Sequence, residues 1–213
     1  MKFKIRGYSL SSITGILSVL IFTFFTLTSL ALYPTPYNPL YDWLSNLGNI
    51  DLNPLGAYFF NWGCILAGIS LIPFFAGLYV WKPRETYSKI LLIMGILLGV
   101  FASISLIMVG IFPETHITQH MLAAAGVFGS LFIIIILVNL ALFNNPKFIR
   151  LIAYYGFLAI IIDLGFKYML TANKDILAAF NPTTPVPGLE WASVFASLAY
   201  VGFLALNMAI KKV

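Results

Sequence analysis

From Ile90 to Phe112 the chain reads ILLIMGILLGVFASISLIMVGIF, and Pro113-Glu114-Thr115-His116-Ile117-Thr118-Gln119-His120 follows at once. The first part carries no charge and belongs to an apolar run of about 88–112. A helix needs about 20 such residues to cross a bilayer. The second part holds both histidines of the chain, at the point where one run surfaces and the next begins.

The rest of the chain repeats that pattern. Hydrophobic residues make up 61% of 213 and charged ones 9%, more apolar surface than a soluble domain of this size could bury. Six runs of crossing length cover about 8–32, 55–80, 88–112, 119–143, 149–169 and 190–210. The expected fold class is all-α integral membrane, one six-helix transmembrane domain over residues 1–213. The net charge of +5 does not point to nucleic acid, because the basic residues sit in short clusters between apolar runs. Lys2, Lys4 and Arg6 before the first run resemble a signal peptide, but that run far exceeds an h-region of roughly 7–15 residues. It reads as a retained first helix. Cys64, the single cysteine, reads as a small buried hydrophobe.

Charge sorts the connections. Lys2, Lys4, Arg6, Lys82, Arg84, Lys89, Lys147, Arg150, Lys211 and Lys212 fall on one side. Asp42, Asp51, Glu114, Asp175 and Glu190 fall on the other, with Lys174 as its only base. The positive-inside rule then puts both termini in the cytoplasm of a multi-pass cell-membrane protein. Short turns at Trp81-Lys82-Pro83-Arg84 and Asn144-Asn145-Pro146-Lys147 make antiparallel neighbours of helices 2 and 3 and of helices 4 and 5.

The outer loops carry more signals. Asn38-Pro39 offers a helix start and Gly48 a stop, and Leu40, Trp43, Leu44 and Leu47 fall on one face between them. That pattern predicts a short amphipathic helix lying on the outer leaflet. Asn53-Pro54 repeats the start signal for helix 2. Asn181-Pro182, Pro185 and Pro187-Gly188 look too proline-rich for a helix and suggest a lid over the bundle. Gly95, Gly99 and Ser103 form a small-residue stripe on helix 3, and Ala125, Gly126 and Gly129 another on helix 4, which predicts close packing of the two. No inverted repeat is visible.

Few polar side chains reach membrane depth. Asp163 and Lys167 share a helix face, and Asp163 lies about 20 Å from the cytoplasmic end of its helix, in the outer half. They can be read as an internal ion pair or as site residues. Asn61 lies two turns into helix 2, and Thr23, Thr26 and Ser29 in the outer half of helix 1. His116 and His120, four apart, would present both rings on one face at the helix start. With Asp163 they could form a two-histidine, one-carboxylate metal site, although His-x-x-x-His without a catalytic Glu is a weak motif. Histidines that tie the outer loops together are the plainer reading. No catalytic triad, phosphate-binding loop, dinucleotide motif or haem-attachment motif is present, so no cofactor is expected.

Asn38-Pro39-Leu40-Tyr41-Asp42-Trp43-Leu44-Ser45-Asn46-Leu47-Gly48-Asn49, Asn53-Pro54, Asn61, and Gly110-Ile111-Phe112-Pro113-Glu114 with His120 and Ala124 resemble the prokaryotic membrane family called domain of unknown function 998. The layout is also similar to the Frag/DRAM/Sfk-like membrane proteins, which share a Phe-x-x-Thr…His…Ala…Phe pattern, here Phe112, Thr115, His120, Ala124 and Phe128. The resemblance brings no activity with it. It implies Ser45, Asn46, Asn61 and His120 as polar positions of the family type, and its eukaryotic relatives point towards lipid headgroups. The expected function is therefore non-enzymatic: an outward-facing polar pocket, with Asn61, His120, Asp163, Lys167, Ser45 and Asn46, that binds a lipid headgroup or similar amphiphile. The alternatives are an accessory subunit of a larger membrane complex, a metal-assisted lipid hydrolase using His116, His120 and Asp163, and a transporter. Expected partners are membrane lipids, and a membrane protein or a second copy of the chain.

Overall fold

The computed structural model describes residues 4–5, 8–81, 83–172 and 184–213. A two-stranded antiparallel ribbon, β1 (Lys4–Ile5) with β2 (Tyr8–Ser9), leads into the first helix. The helices are α1 (Leu10–Ala31), α2 (Gly56–Gly77), α3 (Thr86–Ile111), α4 (Ile117–Leu142), α5 (Arg150–Ala172) and α6 (Val186–Ile210). Short 3-10 helices fill Leu44–Gly48, Leu78–Trp81 and Glu114–His116. All six long helices have the length and apolarity to cross a membrane.

Each helix packs on the next in sequence, and α6 returns to α1, so the six close into a ring. The outer face stays apolar: Leu122, Leu151, Ile161 and Leu97 are exposed, as lipid-facing residues are. At one end Asn145 donates to Trp81 O at 3.4 Å, and Asn207 holds the chain after α4 through Lys147 O (3.0 Å) and Ile149 N (2.9 Å). Arg84, Lys89, Lys147, Arg150, Lys211 and Lys212 gather at this basic end. The opposite, acidic end carries Glu114, Glu190 and the α1–α2 connection, here called loop 1. Inside the ring the basic half is filled by Phe74, Leu78, Leu92, Val138, Leu142, Leu204 and Met208.

Two polar hubs lock helices in register. Asn139 of α4 donates to Ala153 O of α5 at 3.2 Å and accepts the Tyr200 hydroxyl of α6 at 2.8 Å. At the acidic end Asn53, fully buried, donates to Ser29 O (3.2 Å), Ser29 Oγ (3.0 Å) and Leu47 O (3.0 Å), while its Oδ1 accepts the Gly56 N–H at 3.1 Å. Asn53 thus caps the start of α2, as the Asn-Pro signal predicts, and also binds α1 and loop 1.

Three expectations need correction. Asn38 to Gly48 is not one helix. A turn closed by the Asn38 carbonyl and side chain precedes the 3-10 helix, and Leu40 is exposed while Leu44 and Leu47 are buried in the bundle. The segment inserts instead of lying flat, because side chains from α1, α2 and α6 take its backbone groups. Pro187 and Gly188 form the first turn of α6, where a missing proline N–H costs nothing because that donor has no helical partner. They are no lid, and Lys82, Lys174, Asp175, Asn181 and Pro182 lie outside the described residues. The small-residue stripes need correction only in part: α3 does pack on α4 as expected, with Gly126 against Ser105 of α3. Gly95 meets Val138 of α4, but Gly99 meets Phe75 of α2, and Gly129 meets nothing.

Candidate functional site

Loop 1 roofs the acidic end of the ring through side-chain bonds to its backbone. Asn61 donates to Gly48 O at 3.1 Å, and Ser29 Oγ to Leu47 O at 3.1 Å. The Tyr37 hydroxyl donates to Trp43 O at 2.6 Å, and Trp191 Nε1 to Asp42 O at 3.2 Å. Burial, with Glu190 and Asp42 adding to it, raises the Tyr37 phenol above its ordinary value, so it serves as a donor throughout the neutral range. Glu190 Oε2 accepts the Leu44 N–H at 2.7 Å.

Beneath this roof lies a cavity of about 110 Å³. That is several times the ~10–15 Å³ needed to admit one water. Phe22, Phe60, Leu106, Val127, Leu131 and Leu198 represent its apolar wall, drawn from α1, α2, α3, α4 and α6. A smaller void of about 20 Å³ shares Phe75, Leu131, Ile134, Ser197 and Val201 with it and reaches down to Tyr200 and Leu204. The polar lining is sparse: Ser45, His120 and Glu190 around the roof, and Ser197 on α6.

His120 is 5% exposed, and its Nδ1 lies 2.9 Å from Phe112 O. A carbonyl only accepts, so Nδ1 carries the hydrogen, which in a neutral ring leaves Nε2 as an acceptor. The bond exists because Pro113 and the Glu114–His116 turn bend the chain back, bringing Phe112 O over the first turn of α4. Ser45 Oγ donates to Glu114 Oε1, and Asn49 Nδ2 reaches Glu114 Oε2 at 3.3 Å. Glu114 therefore ties loop 1 to the α3–α4 corner as Glu190 ties it to α6.

Asp163 is 4% exposed and accepts Ser193 Oγ at 2.5 Å and Ser197 Oγ at 3.1 Å. The expected pair with Lys167 is not made: Lys167 is exposed, with Nζ 5.3 Å from the Phe132 ring centroid. The serines serve because α5 packs on α6, and Ser193 and Ser197 share the α6 face turned towards it. Lys167→Ala should therefore cost no more than about 1 kcal/mol in detergent unfolding, the scale of an exposed cation–π contact. Breaking a buried ion pair would cost about 3–5 kcal/mol.

The other expected positions divide. Ser45 and His120 line the cavity, and Asp163 stands behind it through Ser197. Asn46 lies in loop 1 and Asn61 under it, outside the cavity lining, each with a buried Oδ1 that has no hydrogen-bond partner among the described residues. His116 is exposed beside Thr115, its Nδ1 3.3 Å from Thr115 Oγ1, and stands as the residue before α4 instead of on its face. Among the described residues no three His, Cys, Asp or Glu side chains cluster as a metal site would require, so His116, His120 and Asp163 do not form one. Glu190, Ser193 and Ser197 were not expected as site residues. Their spacing of three and four puts them on one helix face, a signal the sequence did contain.

Six helices of crossing length in a closed ring, with an apolar outer face and a roofed cavity, define a polytopic helical protein of the multi-pass membrane class. The chain belongs to the family described as "Protein of unknown function (DUF998)", whose family model matches residues 16–207. No curated protein and no solved structure matches it.

Proposed function

We propose that this protein binds a membrane amphiphile, with the apolar chain in the central cavity and the polar end at Ser45, His120 and Glu190. One observation carries the reading: the cavity wall is almost wholly apolar, and all its polar groups but Ser197 gather under loop 1. That division matches a ligand with one greasy end and one polar end. The gathering of basic residues at the opposite end supports, by the positive-inside rule, a bundle with both termini in the cytoplasm and a polar mouth that faces outwards in the cell membrane.

Ala124 lines the cavity from α4, and Ala124→Phe would fill it. The cost in stability should be about 1–3 kcal/mol, within the range for overpacking. Native mass spectrometry of gently extracted protein should show a retained amphiphile in the parent chain and its loss in Ala124→Phe. Equal adducts in both, or none in either, would overturn the proposal.

A further inference from the structure

We infer that the polar end of the cavity takes a primary ammonium group, so that the ligand is a long-chain amine or an aminolipid. This rests on the amphiphile reading above and adds the chemistry of the head.

With the Glu190 carboxyl ionised and the His120 ring neutral, the polar lining under the roof offers acceptors and no free donor. Ser45 gives its hydroxyl hydrogen to Glu114, which leaves only oxygen lone pairs. His120 gives its Nδ1 hydrogen to Phe112 O, which leaves the Nε2 lone pair of the neutral ring. Glu190 is 7% exposed and lines the cavity; its Oε2 holds the Leu44 N–H, and its Oε1 has no hydrogen-bond partner among the described residues.

Charge points the same way. Lys167 lies over a phenylalanine ring on α4, and Arg84, Lys89, Lys147, Arg150, Lys211 and Lys212 belong to the other end. None of these described cations pairs with Glu190. A carboxylate held out of water is costly unless a cation or several donors meet it. A phosphate or carboxylate head would bring more acceptors to a place already full of them. A hydroxyl brings one donor. A primary ammonium brings three donors and the missing positive charge, enough for Glu190 Oε1, His120 Nε2 and Ser45 Oγ.

The test uses the full chain in lipid nanodiscs and sixteen-carbon photoreactive chains that differ only in the head: amine, hydroxyl or carboxylate. The amine chain should label cavity-wall peptides bearing Leu106, Val127 and Leu198, with about a ten-fold advantage over the carboxylate, the size of one modest charge pairing. Glu190→Gln keeps an acceptor for Leu44 N–H and removes the charge, and it should reduce the amine's labelling to that of the hydroxyl chain. Competition by hexadecylamine alone assigns a simple amine, and competition by phosphatidylethanolamine an aminolipid. Carboxylate labelling equal to the amine's would overturn the ammonium assignment and leave the amphiphile reading standing. Absence of cavity labelling by any of the chains would overturn both.

Discussion

Asn53→Leu should destabilise the protein by about 3–5 kcal/mol, because it leaves the buried Gly56 N–H without its acceptor, at about 1–3 kcal/mol, and removes the further bonds to Ser29 and Leu47 O, at about 1 kcal/mol each. Asn53 is fully buried, where three parts of the chain meet. Its amide holds Ser29 at the end of α1 and Leu47 O in loop 1, and its carbonyl oxygen caps Gly56 N at the start of α2. Leucine has a similar volume, so the loss comes from hydrogen bonding and not from a cavity. Water cannot replace the lost partners at such a depth. Asn53→Asp keeps the cap for Gly56 and loses the donors, so it should fall between parent and leucine variant. Ser29→Ala removes one hydroxyl and should cost about 1 kcal/mol. Unfolding in a graded denaturing-detergent series measures all three. A leucine variant as stable as the parent would show that Asn53 is dispensable and that the bonds from Ser29, Asn61 and Glu190 hold loop 1 without it. The same variant should loosen the roof of the cavity, since Leu47 anchors the segment that carries Leu44 and Ser45 across its mouth.

Hydropathy made the helices legible because lipid imposes a single rule on every crossing: about 20 apolar residues with all backbone bonds satisfied internally. Five of the six crossings begin and end within a few residues of the expected places. The exception, α6, begins at Val186 because proline in a first helical turn is indistinguishable by composition from proline in a loop. Loop 1 was misread for a different reason. Leu44 and Leu47 have helical spacing, but whether a short segment lies on a leaflet or plugs a bundle depends on partners far along the chain, here Ser29, Asn61 and Glu190. The candidate site was legible in part. His120 was marked by its position at a helix start and Ser45 by its motif, and both line the cavity. The charge rule placed Glu190 on the acidic side but did not show that its carboxylate turns inwards. Asp163 and Lys167 share a face by spacing, yet serines on the neighbouring helix compete for the carboxylate at no desolvation cost to a lysine, and the serines win.

Glycine substitutions should separate the contacts that hold the ring from those that merely look alike in sequence. A Cβ on Gly110 of α3 would strike Asn61 O of α2, with Ile65 Cγ1 at 2.8 Å and Cys64 Cβ at 3.1 Å. A Cβ on Gly68 of α2 would lie 2.8 Å from Ser103 O and 2.6 Å from Ile107 Cγ1 of α3. In both cases the obstacle includes main chain, which cannot rotate away, so the helices must part. Gly110→Ala and Gly68→Ala should each cost about 3 kcal/mol, the upper part of the overpacking range. At Gly95 the added methyl would meet Val138 Cγ2 at 3.2 Å, a side chain that can turn, and the cost should be small. Gly129 has open space, so Gly129→Ala should be neutral or stabilising by about 0.5–1 kcal/mol, through the better helix propensity of alanine. The expected stability order is Gly129→Ala, then Gly95→Ala, then the two α2–α3 variants, and a reversal would mean that α2 and α3 are not clamped backbone to backbone. A ligand readout goes further. Cys64 and Val109, beside the Gly110 contact, both line the cavity, so parting α2 from α3 opens its wall to lipid. If the cavity holds an amphiphile as proposed, Gly110→Ala should therefore lose it in mild detergent conditions where Gly129→Ala keeps it.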